Sequence, residues 1–445
     1  MIIYILFIIL NIYIISLNNK NLLFIYKGEI NMKYIVIIGD GMADLPIKEL
    51  NNKTILQYTK KPIMDYFAKN GRTGLALTVP NNYVPGSDVA NMSIFGYDPN
   101  KYYTGRAPLE AISMNLKLDI NDVAFRCNFI TINDAINFED SILLDYSADH
   151  ITSNESKELL NDLFISLQKE YNNNLSISIY PGISYRNIAL TKNNFGLNLK
   201  CTPPHDIINK KIKDYLPSGE NSKIFIEIMK KSYKILSKHP ININRIKMGK
   251  LPANCIWLWG QGTAPKLDSF YSLYHKRGSV ISAIDLLKGL GICSGMNIIN
   301  VENATGFLDT NYSGKVSSAL DSLKTNDIVF IHIEAPDECG HMGDYRKKII
   351  SVEHIDNFIL KPIYDFIKKN TNEQFKILIL PDHATPISLK THTSEPVPFL
   401  IYDSKEYLKD CVSSFDEYSV LNGYFSDVNA WELMNILFEE EKINK

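Results

Sequence analysis

Three short runs of the chain are apolar at nearly every position and rich in β-branched residues: Tyr34–Ile38, Ile328–Ile333 and Phe375–Leu380. Continuous apolar runs of this length predict strands buried on both faces of a parallel sheet. Helical spacing of apolar positions recurs over Ile281–Lys288, Lys315–Leu323 and Lys347–Lys369, and the last two segments lead into the second and third runs. This alternation predicts an α/β core with a mostly parallel sheet covered by helices on both faces. From about Leu118 to Arg277 the pattern changes. Turn-forming clusters interrupt it at Tyr180-Pro-Gly, Thr202-Pro-Pro, Leu216-Pro-Ser-Gly and Gly260-Gln-Gly, with short strand-like pieces between them. The stretch 118–277 therefore reads as an inserted α+β domain, which divides the core into 32–117 and 278–445.

The first 31 residues stand apart. Met1 to Leu17 is almost wholly apolar, broken by Asn11 and Ser16. It is slightly short of the roughly 20 residues of a membrane span and lacks a basic leading region. Two readings stay open. Residues 1–17 are a membrane anchor or secretion signal, or Met32 is the true start, since Met32-Lys33 runs directly into the first apolar run. The second reading places the protein in the cytoplasm.

The composition is that of an ordinary globular protein: 445 residues, 45% hydrophobic and 22% charged. A chain of that length usually forms two or more domains. The formal net charge of −2 and the lack of a long basic run give no support to a nucleic-acid partner or an anionic membrane. Six scattered cysteines without a C-x-x-C pair predict free thiols in a reducing compartment. Of the 47 basic Lys and Arg residues, only seven are Arg: 72, 106, 126, 186, 245, 277 and 346. Lys replaces Arg poorly where a planar fork must grip a phosphate or carboxylate, so these seven are candidates for function.

Each predicted strand is followed by residues able to bind a metal. Asp40 follows the first. Asp337 and His341 follow the second, in Glu334-Ala-Pro-Asp-Glu-Cys-Gly-His341. Asp382 and His383 follow the third, with His392 further on. Ligands gather outside the carboxyl ends of strands in open α/β sheets, so these side chains should converge. Singly, each has an ordinary role as a turn residue, surface pair or structural histidine; the coincidence favours a metal site. Mixed Asp and His donors suit Zn²⁺ or Mn²⁺ better than Ca²⁺. Three Asp and three His suffice for two ions about 4 Å apart. A nucleophile is available in Pro85-Gly86-Ser87-Asp88-Val89, which reads as a tight turn entering a short helix with Ser87 at or near its N-cap. Free N–H groups at a helix start also bind phosphate. No G-x-x-x-x-G-K-[ST] loop occurs, which argues against a nucleotide site of the P-loop kind.

Longer segments carry a resemblance. They include Met32-Lys-Tyr-Ile-Val-Ile-Ile-Gly-Asp-Gly-Met-Ala-Asp44, Gly86-Ser-Asp-Val-Ala-Asn-Met-Ser-Ile-Phe-Gly-Tyr-Asp-Pro99 and Tyr102-Tyr-Thr-Gly-Arg-Ala-Pro-Leu-Glu-Ala111. Further ones are Asp145-Tyr-Ser-Ala-Asp-His-Ile151, Trp257-Leu-Trp-Gly-Gln-Gly262, Glu334-Ala-Pro-Asp337 and Pro381-Asp-His383. The chain resembles the archaeal-type cofactor-independent phosphoglycerate mutases of the alkaline phosphatase superfamily, from Met32 to about Phe438. The resemblance implies an alkaline-phosphatase-like core with a substrate-gripping insert. It implies that Asp40, Ser87, Asp382 and His383 hold one metal, that Asp337, His341 and His392 hold the other, and that Ser87 is transiently phosphorylated. It also implies interconversion of 3-phosphoglycerate and 2-phosphoglycerate without bisphosphoglycerate or nucleotide. Mn²⁺, Mg²⁺, Co²⁺ and Zn²⁺ stay open as the metal.

For a small phosphorylated carboxylic acid, the candidate binding residues are Arg126 and Arg186, then Arg106 and Arg277, with Lys266 and Lys315 behind them. His150 and His205 are candidate proton carriers. Asp149 departs from the pattern, because related bacterial sequences usually carry Gly there, and Cys339 stands where a small apolar residue is usual. The same superfamily contains phosphatases, phosphodiesterases, phosphopentomutases and homoserine-kinase-like proteins. These remain the alternatives, with a non-catalytic binding protein as the most distant.

Overall fold

The computed structural model describes residues 32–370, 372–405, 410 and 412–439. The readings placed on residues 1–31, and Cys411, lie outside the described residues. In chain order the strands are β1 (Met32–Gly39), β2 (Arg72–Leu77), β3 (Val123–Ile132), β4 (Leu143–Asp145), β5 (Ile177–Tyr180), β6 (Arg186–Thr191) and β7 (Cys255–Gly262). There follow β8 (Gly278–Ile281), β9 (Asn297–Ile298), β10 (Ile328–Ile333), β11 (Gln374–Leu380), β12 (Val397–Asp403) and β13 (Val428–Asn429).

Eight of these strands form one sheet in the order β13-β2-β12-β11-β1-β10-β8-β9. Only β12 runs antiparallel to its neighbours. The three apolar runs lie side by side at its centre, β1 between β10 and β11, with Ile37 opposite both Ile331 and Ile379. Side chains alternate between faces along a strand. Ile35, Ile37, Val329, Ile331, Ile377 and Ile379 enter one buried layer. Tyr34, Val36, Ile38, Phe330, Leu378 and Leu380 enter another on the opposite face. Burial on both sides explains why these strands read as unbroken apolar runs.

The helices differ from expectation in detail. The run read as helical from Ile281 is strand through Ile281, and its helix spans Asp285–Cys293. The long pattern Lys347–Lys369 is one continuous helical stretch from Tyr345 to Lys369, with a π-helical segment at Ile355–Leu360.

A second, antiparallel sheet comprises β4-β3-β6-β5 with β7 added on the other edge of β3. Helices Ser153–Glu170 and Ser222–Leu236 bury Leu159, Leu163, Phe225 and Met229 against Phe125, Phe129 and Trp257. Gly260-Gln-Gly, read from sequence as a turn, belongs to β7 instead. The register shifts there against Ala124/Arg126, and Gly260 takes φ +62°, as a bulge requires. The other face of this sheet meets helix Arg106–Ser113, where Ala107 and Ala111 pack on Ala124 and Ile188. That helix is the shared wall between the two sheets. The five described cysteines are free thiols. Among the described residues no helix is long and apolar enough to cross a membrane.

Candidate active site

The carboxyl ends of β1, β10 and β11 deliver Asp40, Asp337 and Asp382 to one place. Asp40 directly follows β1, its N–H bonded to the carbonyl of Ile333 on β10. Asp337 and His341 project from one face of α1 (Ala335–Met342), one helical turn apart. Asp382 and His383 follow β11, and a bridge between Ala384 and Thr393 folds His392 back beside them. The donor atoms of Asp337, His341 and His392 lie within 4.8 Å of one another, as do those of Asp40, Asp337 and His383. The sequence thus foretold six side chains that the fold brings together.

Their electrostatics call for cations. Burial and the neighbouring Asp382 and Asp337 carboxylates raise the Asp40 pKa well above the usual range. Its Oδ1 is buried without a hydrogen-bond partner. Burial also opposes the charge on Asp337, but His341 and His392 more than offset it and hold its pKa low. His341 Nδ1 lies 2.9 Å from the Lys390 carbonyl, so that nitrogen donates and Nε2 is free to face the acids. Burial alone would depress His341; Asp337 and the Lys390 carbonyl bring it to about 9. An oxygen- and nitrogen-rich donor set with an orphaned carboxylate oxygen fits divalent transition ions.

Ser87 closes the cluster. It opens helix α2 (Ser87–Ile94), with extended Gly86 as the cap, so Ser87 stands one position inside the expected N-cap. Its Oγ lies 3.0 Å from His383 Nε2. Asn91, one turn on, donates to Asp382 Oδ2 at 2.8 Å and to the Ser87 carbonyl at 2.8 Å, tying the helix start to the acid. Asn91 escaped the sequence reading; its i+4 spacing from Ser87 was the available signal.

A cavity of about 1300 Å³ opens between the two sheets beside this cluster. Arg106, Arg126, Arg186, His150 and His205 all line it, with His341. Arg106 comes from α3 (Arg106–Ser113), Arg126 from β3 and Arg186 from β6. Arg106 Nε and Arg126 Nη1 both donate to Glu110 Oε1, at 2.9 and 2.6 Å. Glu110 was not singled out from sequence. Burial opposes its charge, but Arg126 and Arg106 hold its pKa low. His205, on the short helical turn Pro204–Ile207, lies edge-on to Trp259 and His341 at 5.4 and 6.2 Å between ring centres, and tilted against His392 at 6.3 Å. Burial, with His392 and His341 beside it, holds its pKa well below the usual value.

His150 sits at the end of three consecutive left-handed residues, Ala148, Asp149 and His150, at φ +51°, +55° and +45°. Glycine is favoured in that region, so a side chain at position 149 is held in a conformation that costs most residues energy. Asp tolerates it better than most, and here the Asp149 N–H is held by Asp145 Oδ1 at 3.1 Å.

Three candidates fall elsewhere. Arg277 is exposed at the amino end of β8, where its backbone pairs with Asp327, so the sheet itself separates it from the carboxyl-end cluster. Lys266 is exposed and lines a separate depression with Lys101 and Tyr102. Lys315 is fully buried behind the cluster, Nζ donating to the His332 carbonyl at 2.8 Å, and burial brings it down to about 8.

Comparison with known proteins fits this arrangement. A 2,3-bisphosphoglycerate-independent phosphoglycerate mutase of Methanosarcina mazei is 52% identical over 408 residues, covering 92% of this chain and all of the relative. The chain belongs to the 2,3-bisphosphoglycerate-independent phosphoglycerate mutase family. The sequence model of that family matches residues 68–242. The form numbered 2 in Methanothermobacter thermautotrophicus is 42% identical, over 92% of this chain and 98% of its own length. Among solved structures, a Pyrococcus horikoshii protein superposes with a TM-score of 0.72 at 29% identity, covering 91% of this chain and 96% of that one. A cofactor-independent phosphoglycerate mutase of Thermoplasma acidophilum gives 0.55 at 24% identity, over 91% and 98%, and shares the fold.

Proposed function

We propose that the chain interconverts 3-phosphoglycerate and 2-phosphoglycerate through a phosphate held transiently on Ser87. The observation that carries this reading is the position of Ser87 Oγ, at a helix start and 3.0 Å from His383 in the Asp/His cluster. Asp40, Ser87, Asp382 and His383 would hold one divalent cation, and Asp337, His341 and His392 a second. When bound, such ions supply positive charge that lowers the serine pKa and offsets the charge of the transferring group.

The chain's own groups do the rest. Ser87 Oγ forms a bond to phosphorus as the substrate's P–O bond breaks, and the freed glycerate hydroxyl takes up the proton that Ser87 gives up. In the second half the other hydroxyl of the same glycerate attacks phosphorus, the Oγ–P bond breaks, and Ser87 regains a proton. The free N–H groups of the first turn of α2 face the phosphate oxygens. The forks of Arg106, Arg126 and Arg186 grip the carboxylate and keep the glycerate from leaving between halves. His150 and His205, on the insert 118–277, are positioned to carry protons at the glycerate hydroxyls. Between the two halves water must be kept from the phosphoserine, or the phosphate would be lost by hydrolysis.

A coupled assay of the metal-loaded chain with 3-phosphoglycerate, without bisphosphoglycerate or ATP, tests the reading. Formation of 2-phosphoglycerate is expected. A strict requirement for bisphosphoglycerate, or turnover of homoserine with ATP in its place, would refute it.

A further inference from the structure

Arg245 is one of the seven arginines, and no step of the proposed chemistry uses it. It lies on the helix Pro240–Lys247, is 1% exposed and stands outside the lining of the cavity. Its guanidinium serves three acceptors. Nε donates to the Leu251 carbonyl at 3.0 Å, Nη1 to Glu155 Oε2 at 2.8 Å and Nη2 to the Ala148 carbonyl at 2.6 Å. A lysine ammonium is a compact point charge and cannot span acceptors that three different guanidinium nitrogens reach.

The Ala148 carbonyl belongs to the left-handed run of Ala148, Asp149 and His150. Residues other than glycine visit that region singly, so a run of three persists only where the surroundings hold it. Most of the holds lie within the turn. Asp145 Oδ1 accepts from the N–H of Ser147 at 2.7 Å and from that of Asp149 at 3.1 Å. Ser147 Oγ accepts from the His150 N–H at 3.2 Å, and the Ser147 carbonyl from the Ile151 N–H at 3.3 Å. Just past the run, Ser184 Oγ donates to the Ile151 carbonyl at 2.6 Å. Arg245 grips the run itself from another helix, and does so with a charge. Through Glu155, which also accepts from Thr152 Oγ1 at 2.8 Å, it ties the turn to the start of helix Ser153–Glu170.

The run ends in His150, which lines the cavity and stands edge-on to Tyr185 at 6.0 Å between ring centres. The backbone conformation at residue 150 sets the direction in which its side chain leaves. We infer that Arg245 is a positioning residue for the phosphoryl transfer. It locks Ala148–His150 in the left-handed turn and so aims the His150 imidazole at the glycerate hydroxyls. The role of His150 in the proposed function underlies this reading.

Two measurements on the full chain test it. The first is amide hydrogen exchange over residues 147–151, read by mass spectrometry, which needs no activity. These amides should be protected in the unmodified chain and should exchange about tenfold faster or more in Arg245→Lys, with β10 unchanged. Exchange as fast as in an unstructured peptide, already in the unmodified chain, overturns the inference whether or not the variant folds. Equal protection in the two chains overturns it as well. The second is a double-mutant cycle on kcat for 3-phosphoglycerate. His150→Ala and Arg245→Lys should each lower kcat by about tenfold or more, at unchanged metal content, and the double variant should be no slower than His150→Ala. Losses that multiply would mean that Arg245 acts elsewhere; they overturn the inference and leave the mutase reading intact. Full kcat in His150→Ala removes that histidine from the proposed function and overturns the inference with it. Absence of product from the unmodified chain refutes the mutase reading instead, and the exchange measurement then decides by itself whether Arg245 holds the turn.

Discussion

Arg126 Nη1 donates to Glu110 Oε1 at 2.6 Å across the junction of the two sheets, and Arg106 Nε shares that same oxygen at 2.9 Å. One carboxylate thus brackets two guanidinium groups, one from its own helix and one from β3. Without it, the two cations would repel. Charge-assisted hydrogen bonds of this kind contribute about 1.5–3 kcal/mol each. Glu110→Gln should raise KM for 3-phosphoglycerate about tenfold, with a smaller change in kcat, in a steady-state coupled assay. An unchanged KM would remove the pair from substrate binding.

Arg277 and Lys266 provide the contrast. Both are exposed and away from the cavity. Arg277→Ala and Lys266→Ala should keep kcat/KM within about twofold of the unmodified chain, whereas Arg126→Ala should lower it by about a hundredfold or more. Equal losses in all three variants would mean that the cavity has been misplaced.

Gly41 has φ +61°, and a Cβ there would sit 2.5 Å from Thr385 Oγ1 and 2.8 Å from the Asp337 Cα. Its N–H also donates to Asp382 Oδ1 at 3.0 Å. Gly41→Ala adds left-handed strain to a steric clash against backbone, a combined cost of roughly 3 kcal/mol. Urea unfolding should show a lower midpoint, and calorimetry a large loss of metal affinity. Normal metal binding in this variant would contradict the close approach of β1 to α1.

Glu417 gives a pH dependence with a definite sign. Its oxygens accept from the Asp44 N–H at 3.0 Å and from Thr54 Oγ1 at 2.6 Å, yet burial pushes its pKa up to about 7. Between about 4.5 and 7 the folded chain therefore keeps a proton that the unfolded chain has released. Its contribution to stability is present below that window and is lost as pH rises through it. Glu417→Gln should flatten this part of the Tm-against-pH curve, the difference from the unmodified chain changing chiefly between pH 5 and 7. A parallel pair of curves would show that Glu417 titrates normally.

The centre of the fold was legible because burial on both faces writes itself into sequence as unbroken β-branched runs. The strand ends then marked Asp40, Asp337 and Asp382, since ligands collect where parallel strands stop. What stayed hidden follows equally from physics. Glu110 lies four residues after Arg106, the spacing of an ordinary surface ion pair, and its partner Arg126 is brought in by the second sheet. Arg277 looked functional by its rarity, but strand direction decides which end of β8 faces the site, and β8 was not recognised as a strand. Gly260-Gln-Gly read as a turn because a bulge uses the same residues.

The central claim is that phosphate passes through Ser87. Its most direct measurement is peptide mass spectrometry on metal-loaded chain mixed with 3-phosphoglycerate and quenched in acid during turnover. The expected result is a phosphorylated peptide carrying Ser87, absent from Ser87→Ala, which should also lack mutase activity while still binding metal. Continued turnover in Ser87→Ala, with no phosphate on the Ser87 peptide of the unmodified chain, would contradict it.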